Sequence, residues 1–453
     1  MKRAMSVMLI LMLCAGGTAW ASGLAIPEQG AAALGYAASM TARSEELSAM
    51  YYNPAGLMYI TGKEVYLGIT PIMPYHKYMT HESSVEANKQ TFLPPQGYAA
   101  MRMGQNLVVG IGVFAPFGLG TDWDTDWVGR YSATYAEVAT IHIQPTVAYQ
   151  VNDNVSVGVG VSYVTSSATM EKMVDFGSRI GEGPNPLLDS ESSMDGSGSA
   201  VAFNVGIQAK ASEAMTFGAS YQSAYDIKYE GTATFTHSNV LKAKTYPLDP
   251  TGATTMYHVA LANMPAKQDG SASFNMPWVL NLGMKYDFTP QFDTSFDVNV
   301  VGWSVYKELE VDFDTDVPED KVLPKNWDDS VVLRLASSYD MSDSWILRGG
   351  LLYDKNPVPD ETFDAQLPDA NRIGLSVGTG YSFGKLRIDA GYLFLHFSDR
   401  KKNNAVGFDL GDNSDTTGDG DVNIYDVTPG YPVANGSYRG RAHLLSVAAT
   451  YSF

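Results

Sequence analysis

Leu444-Leu445-Ser446-Val447-Ala448-Ala449-Thr450-Tyr451-Ser452-Phe453 ends the chain. Leu445, Val447, Ala449, Tyr451 and Phe453 share one parity, and Leu444, Ser446, Ala448, Thr450 and Ser452 share the other. One face is wholly apolar; the other is mostly small or hydroxylated. Side chains alternate across a strand, so the two sets point to opposite sides. A soluble strand buries its apolar face, whereas a barrel strand in lipid turns that face outward over a polar lumen. A final Phe with Tyr two residues earlier is a common end for such a barrel strand. A soluble sandwich can also end in an alternating strand, so the remainder of the chain decides.

The opposite end reads as a secretory leader. Lys2 and Arg3 precede a short apolar core from Val7 to Leu13, and Ala19-Trp20-Ala21 supplies small residues for cleavage before Ser22. The apolar run is too short for a transmembrane anchor. Leu13 is too large for the position before a lipidated Cys14. Cys14 is the only cysteine, so a mature chain without it relies on its backbone ladder and burial rather than on disulfides. The net charge of −19 argues against nucleic-acid binding and becomes more negative once Lys2 and Arg3 are removed. It is compatible with a lipopolysaccharide leaflet bridged by divalent cations.

After the leader no apolar run approaches ~18 residues, so no membrane-spanning helix is expected. Instead 14 strands are expected, at 63–78, 91–104, 107–117, 136–150, 154–171, 197–210, 214–236, 269–288, 291–313, 329–340, 343–354, 371–383, 385–399 and 438–453. Their connections alternate between short turns and long loops, as outer-membrane barrels require. An even strand number closes the sheet and leaves no edge in lipid. Trp345, Leu347, Leu351 and Tyr353 share one face, as do Ile373, Leu375, Val377, Tyr381 and Phe383. The opposite faces carry Arg348, Arg372 and Lys285. A lipid-facing Arg or Lys would cost ~2–4 kcal/mol near the midplane, so these charges are expected to point inward. The fold class is therefore all-β: a 14-stranded antiparallel transmembrane β-barrel. Residues 1–21 are the leader, 22–62 an Ala- and Gly-rich N-terminal hatch or plug, and 63–453 the barrel.

The hatch region carries Glu28-Gln29, Gly35-Tyr36-Ala37 and Ser48-Ala49-Met50-Tyr51-Tyr52-Asn53-Pro54-Ala55-Gly56-Leu57. Further along come Pro116-Phe117-Gly118, Trp127-Val128-Gly129-Arg130-Tyr131, Gly302-Trp303-Ser304, Arg348-Gly349-Gly350 and Leu367-Pro368-Asp369. In these pieces the chain resembles the FadL family of outer-membrane transporters of long-chain fatty acids and other hydrophobic compounds. The resemblance runs over nearly the whole mature chain. It implies a 14-stranded barrel with an N-terminal hatch, capture on extracellular loops, binding within the barrel and hatch-gated release. It also implies a side opening at a kink in the third strand, where this chain has Gly110, Gly112 and Pro116. Gly and Pro weaken a ladder, although ordinary barrel curvature would use them equally.

Several residues are candidates for function. Asn53-Pro54-Ala55 is expected to form a turn that holds the hatch closed, since Pro54 restricts Asn53 and Asn53 can satisfy turn backbone; a simple helix stop is the alternative. Phe176, Leu187 and Leu188 on loop 172–196, with Tyr257 and Leu261 on loop 237–268, are apolar residues that need a ligand or each other. Lys285, Arg334 and Arg348 are lumenal cations for a fatty-acid carboxylate, or members of a structural ion-pair network. Loop 400–437 holds Asp415, Thr417, Asp419, Asp421, Asn423 and Asp426 at the spacing of a structural calcium loop, with Thr417 departing from the preferred Asp or Asn; a solvated acidic loop is the alternative. No other cofactor is expected. The seven histidines lie beside no nucleophile motif, so an enzyme is not expected. The expected partners are a hydrophobic small molecule, outer-membrane lipid and lipopolysaccharide, with the protein a monomer in a Gram-negative outer membrane. A surface barrel acting as adhesin or phage receptor is the alternative; it needs the long loops but no hatch.

Overall fold

The computed structural model describes residues 23–44, 46–179, 182–245, 251, 254–263, 265–315, 321–406 and 433–453. Their strand segments join into one closed antiparallel barrel of 14 strands. These are β1 (Lys63–Ile69 and Ile72–Met79), β2 (Pro95–Met103), β3 (Leu107–Phe114 and Gly118–Asp122), β4 (Tyr135–Asn152) and β5 (Val155–Val174). β6 (Ser190–Ser212), β7 (Met215–Gln222 and Tyr225–His237), β8 (Lys267–Met276 and Trp278–Thr289) and β9 (Phe292–Gly302 and Glu308–Phe313) follow. β10 (Ser330–Ser342), β11 (Trp345–Asp354), β12 (Arg372–Phe383), β13 (Leu386–Lys402) and β14 (Gly436–Ser452) complete it. Two short strands, Ser84–Glu86 and Lys321–Pro324, extend the loops. The leader, 1–21, lies outside the described residues, as do the calcium-loop candidates Asp415, Thr417, Asp419, Asp421, Asn423 and Asp426.

The C-terminal strand closes the barrel. β14 pairs with β1 from Glu64↔Ser452 to Ile69↔Val447, then from Ile72↔Leu444 to Met79↔Ser437. Val447 and Phe453 are 53% and 66% exposed, while Leu444, Ser446 and Ala448 are buried. The apolar parity thus faces outward. Arg348 and Arg372 are buried on the inner side, and Leu351, Ile373, Leu375 and Val377 are exposed on the outer side. This is the arrangement in which lipid covers apolar groups and the lumen holds the charges.

Five strands expected to be continuous are broken instead. β1, β3, β7, β8 and β9 are interrupted at Thr70-Pro71, Ala115-Pro116-Phe117, Ser223-Ala224, Pro277 and residues 303–307. Proline has no ladder donor, which accounts for three of these sites. β2 starts at Pro95 rather than 91, and β6 starts at Ser190 rather than 197. The Ser- and Gly-rich start of β6 pairs with β5 although it lacks the lipid-facing alternation.

Residues 23–62 fold inside the short-turn half of the barrel. They contain α1 (Ala31–Gly35), α2 (Ala49–Tyr52) and a 3₁₀ turn, Pro54–Tyr59. The weak helical spacing of 31–50 does not produce one helix. Ala37 and Ala38 take φ of 49° and 60°, in the left-handed region that ends a helix. Beyond them the polar residues bond to the barrel rather than along a helix. Thr41 donates to Asp297 through N–H (2.9 Å) and Oγ1 (2.7 Å), Ser39 Oγ lies 2.9 Å from Ser295 Oγ, and Arg43 donates to Ser295 (2.9 Å) and pairs with Asp293. Inward-facing glycines give this segment room. Gly158 and Gly206 are register partners, and a Cβ built on them would lie 2.4 Å from Pro54 C and 2.0 Å from Asn53 Oδ1.

Candidate functional site

The Asn53-Pro54-Ala55 turn is seated on that glycine pair. Asn53 is fully buried. Its Nδ2 donates to Thr41 O (2.8 Å) and to Ile207 O of β6 (3.0 Å), and its Oδ1 accepts from Ala55 N–H (3.2 Å). One amide therefore ties two stretches of the plug to the barrel wall. The 3₁₀ turn after it has Pro54 at its first position, where a missing N–H costs nothing.

Glu46 organises the other side of the plug. Its carboxylate accepts from Ala33 N–H (3.1 Å), Ala32 N–H (3.3 Å) and Ser48 Oγ (2.6 Å). Burial raises its pKa to about 6, with a contribution from Asp389, against the hydrogen bonds from Ser48 and Ala33. A carboxyl group whose pKa is raised binds its proton more tightly when the plug is seated. Its contribution to seating is complete below the free value near pH 4.5 and is lost as pH rises through about 6. The difference between pH 4 and pH 7 is about 2 kcal/mol. Protection factors in residues 31–57, corrected for the intrinsic pH dependence of amide exchange, are expected to be higher at pH 5 than at pH 7.5, and Glu46→Gln is expected to flatten that dependence. An unchanged slope in the variant would remove Glu46 from the explanation.

Above the plug a cavity opens toward the long loops, with about 1160 Å³ of non-atom space including its mouth. Leu24 forms part of its floor. Ala168 and Met170 of β5, Tyr229 of β7, Ala272 and Phe274 of β8, and Leu309 and Val311 of β9 contribute to its wall. Tyr306 stacks on Phe274 with ring centroids 4.3 Å apart. Among the described lining residues the only cation is Lys325, whose Nζ lies 3.0 Å from Asp364. Glu137 and Asp195 also line the cavity. A smaller pocket of about 340 Å³ lies between Tyr51 of the plug, the β3 interruption and the wall at Phe203, Ser223, Tyr225 and Pro277.

The β3 interruption is held by the plug. Gln29 is fully buried, and its Nε2 donates to Ile26 O (2.6 Å) and Ala115 O (2.8 Å), while its Oε1 accepts from Ala115 N–H (3.3 Å). Ile26 N–H donates to Pro116 O (2.8 Å) and Gly118 N–H to Leu24 O (3.2 Å). The start of the plug thus serves as a strand partner for the bent segment. Pro116 sits in the bend. Gly110 and Gly112 lie below it and have packing roles: built Cβ atoms there would meet Met50 Cε at 2.3 Å and the Tyr98 ring at 2.9 Å.

The three cations singled out in the sequence lie away from the cavity lining. Lys285 pairs with Asp287 (2.7 Å), Arg334 donates to Asn299 (2.7 Å) and to Ala37 O (2.7 Å), and Arg348 pairs with Asp389 (2.9 Å). Arg334 and the Arg348 side chain above Tyr36 hold the plug. Lys325 escaped notice because it sits in an irregular loop with no parity to read. On the loops, Phe176 of α3 (Phe176–Arg179) and Leu188 are buried with Leu241 of α4 (Asn239–Ala243) and with Met256 and Ala260 of α5 (Met256–Asn263). Those loops pack on each other. Leu187 is 64% exposed, and Tyr257 and Leu261 are half-buried. The Trp127-to-Tyr131 stretch ties the loops together: Arg130 Nε lies 2.7 Å from Asp189, Tyr131 donates to Asp189 (2.8 Å), and Trp123 stacks on Trp127 at 4.4 Å.

Comparison with known proteins gives a consistent answer. The family model described as "Outer membrane protein transport protein (OMPP1/FadL/TodX)" matches residues 12–453. A putative outer membrane protein of Neisseria meningitidis serogroup B is 23% identical, covering 99% of this chain and 98% of its own. The long-chain fatty acid transport protein of Escherichia coli K12 is 23% identical over 63% of this chain and 67% of its own. Among solved structures, a Pseudomonas aeruginosa FadL homologue superposes with a TM-score of 0.79 at 18% identity, covering 95% of this chain and 100% of that one. The Pseudomonas putida toluene transporter TodX superposes at 0.68 with 14% identity, covering 96% and 99%. These identities establish the fold, and the family match establishes the class: the chain belongs to the FadL/TodX family of outer-membrane transport proteins, which are channels and not enzymes.

Proposed function

We propose that this protein takes up hydrophobic molecules across the outer membrane. Ligand enters from the extracellular loops, rests in the large apolar cavity, and leaves when the plug and the β3 bend rearrange. The observation that carries this is the position of the cavity: apolar walls, a floor made by the plug, and the plug-bound bend of β3 beside it. A poorly soluble molecule gains from apolar walls roughly in proportion to the area it buries. The Asn53 turn is the latch in this scheme. The protein works as a monomer within lipid and lipopolysaccharide, and no cofactor takes part. A plain adhesin or phage receptor has no need for a plug seated by buried hydrogen bonds.

The cavity's electrostatics favour an uncharged ligand, such as an aromatic hydrocarbon, over a fatty-acid carboxylate. Lys325 is already paired with Asp364. A carboxylate would have to displace Asp364 or lie beside its like charge. Toluene and oleate titrated into the purified barrel test this. Ala272→Trp, which narrows the cavity beside Phe274, is expected to weaken toluene binding about tenfold, while Lys325→Met leaves it within about twofold, as for a group making no ligand contact. Strong oleate binding that is lost in Lys325→Met would overturn the preference for uncharged ligand.

A further inference from the structure

We infer that the wall carries a side port between β6 and β7, level with the aromatic girdle nearer the long loops, through which the apolar ligand passes between the barrel interior and the outer leaflet. This rests on the transport reading above and concerns a seam other than the bend of β3.

The ladder between β6 and β7 is interrupted. Pairing runs from Met215↔Ser212 to Gln222↔Asn204, and resumes only from Glu230↔Ser197 to His237↔Ser190. On its other side β6 stays paired with β5 throughout this stretch, from Asn204↔Gly160 to Ser197↔Ser167. The facing part of β7 stays paired with β8, from Tyr225↔Met276 to Tyr229↔Ala272. The interruption therefore lies between β6 and β7 and not on either flank.

Its cause is an extra residue in β7. Phe217 and Tyr221 point outward below Ser223-Ala224, whereas Asp226 and Lys228 do so above it, so the parity has flipped. Such a bulge bends its strand and disrupts local pairing. Pro277 breaks β8, and residues 303–307 break β9, next to the same bend. The three breaks thus lie side by side on adjacent strands.

Few contacts close the seam. At its lower end Ser223 N–H donates to Phe203 O (2.9 Å), and Phe203 N–H donates to Ser223 Oγ (3.0 Å). At its upper end Gly198 lies against Lys228, where a built Cβ would be 2.4 Å from the carbonyl oxygen. Between these ends Val201 is 66% exposed. On the inside, Ala202, Phe203, Ser223, Tyr225 and Pro277 line the smaller pocket, so one short stretch of wall borders both the pocket and the outside. On the outside, the rings of Phe203, Tyr221 and Trp278 follow one another at 6.2 and 6.5 Å, as in an interfacial girdle. An unladdered seam bordering lipid opens with less loss of backbone bonding than any paired one.

Cross-linking tests the port. Cys14, within the segment read as a cleaved leader, is the only cysteine, so introduced pairs react cleanly. Ser199→Cys with Asp226→Cys spans the seam, and Ser199→Cys with Thr165→Cys spans the intact β5–β6 ladder, where the two residues are register partners. All three sites are exposed. After treatment with a short bismaleimide, uptake of labelled toluene is expected to fall about twofold for the seam pair, as when one of two exits is blocked, and to be unchanged for the ladder pair. Equal uptake by the two cross-linked proteins overturns the port while leaving transport standing. An absence of toluene uptake by the unmodified protein would instead sink the transport reading, and the port with it.

Discussion

Gly206→Leu is expected to unseat the plug while leaving the barrel closed. The side chain of residue 206 would begin 2.0 Å from Asn53 Oδ1 and 2.9 Å from Pro54 Cδ, so the turn must move. Overpacking alone costs ~1–3 kcal/mol. Displacing Asn53 also breaks its bonds to Thr41 O, Ile207 O and Ala55 N–H, and each buried group left unpaired adds ~1–3 kcal/mol. The barrel ladder itself is untouched, because β6 keeps its register with β5 and with the lower part of β7. Limited proteolysis should then cut within residues 31–57 of an otherwise intact barrel, and small hydrophilic solutes should leak through. Val205→Leu on the lipid face is the control, since Val205 is exposed and apolar. Equal protection of the plug in both variants would contradict the role given to the glycine seat.

Gln29→Leu is expected to have the second large effect, at the bend of β3. Leucine approximates the volume of glutamine but bonds to nothing. Ala115 would lose partners for both its N–H and its C=O, and Ile26 O would lose its donor. All three groups lie in buried surroundings, so the cost is about 3 kcal/mol or more. Hydrogen exchange at the Ala115 amide should accelerate by at least about a hundredfold if that energy appears as local opening. Amides in the continuous strands β11 and β12 should not change. Exchange at Ala115 that matches the unmodified protein would mean the bend holds itself without the plug.

The barrel was legible because two of its rules are local. Residues such as Leu445, Val447, Leu375 and Val377 alternate with inward polar or small residues, and the turn lengths alternate as well. The breaks were harder to read. Pro71, Pro116 and Pro277 are visible as residues, but barrel edges and bulges tolerate proline, so sequence alone does not say which one bends a strand. The Ser223-Ala224 bulge has no distinctive residue and shows only as a parity change between Tyr221 and Asp226. The site was legible in part. Asn53 stood out through its Pro54 neighbour, but its seat did not, because Gly158 and Gly206 lie more than a hundred positions away in a Gly-rich chain. Parity correctly turned Arg334 and Arg348 inward but could not tell a plug contact from a cavity wall. Phe176 and Leu188 looked like a capture surface because apolar loop residues advertise either a ligand or a loop partner, and here they bury each other.

Uptake of labelled toluene and oleate by a strain lacking this gene is the most direct measurement of the central claim. The strain is complemented with the unmodified protein, with the cavity-narrowing Ala272→Trp variant, or with an empty vector. Uptake restored by the unmodified protein, with toluene favoured, and strongly reduced by Ala272→Trp at equal outer-membrane levels, is the expected result. Uptake no faster than with the empty vector for both compounds, or full uptake through the narrowed cavity, would contradict transport by this route.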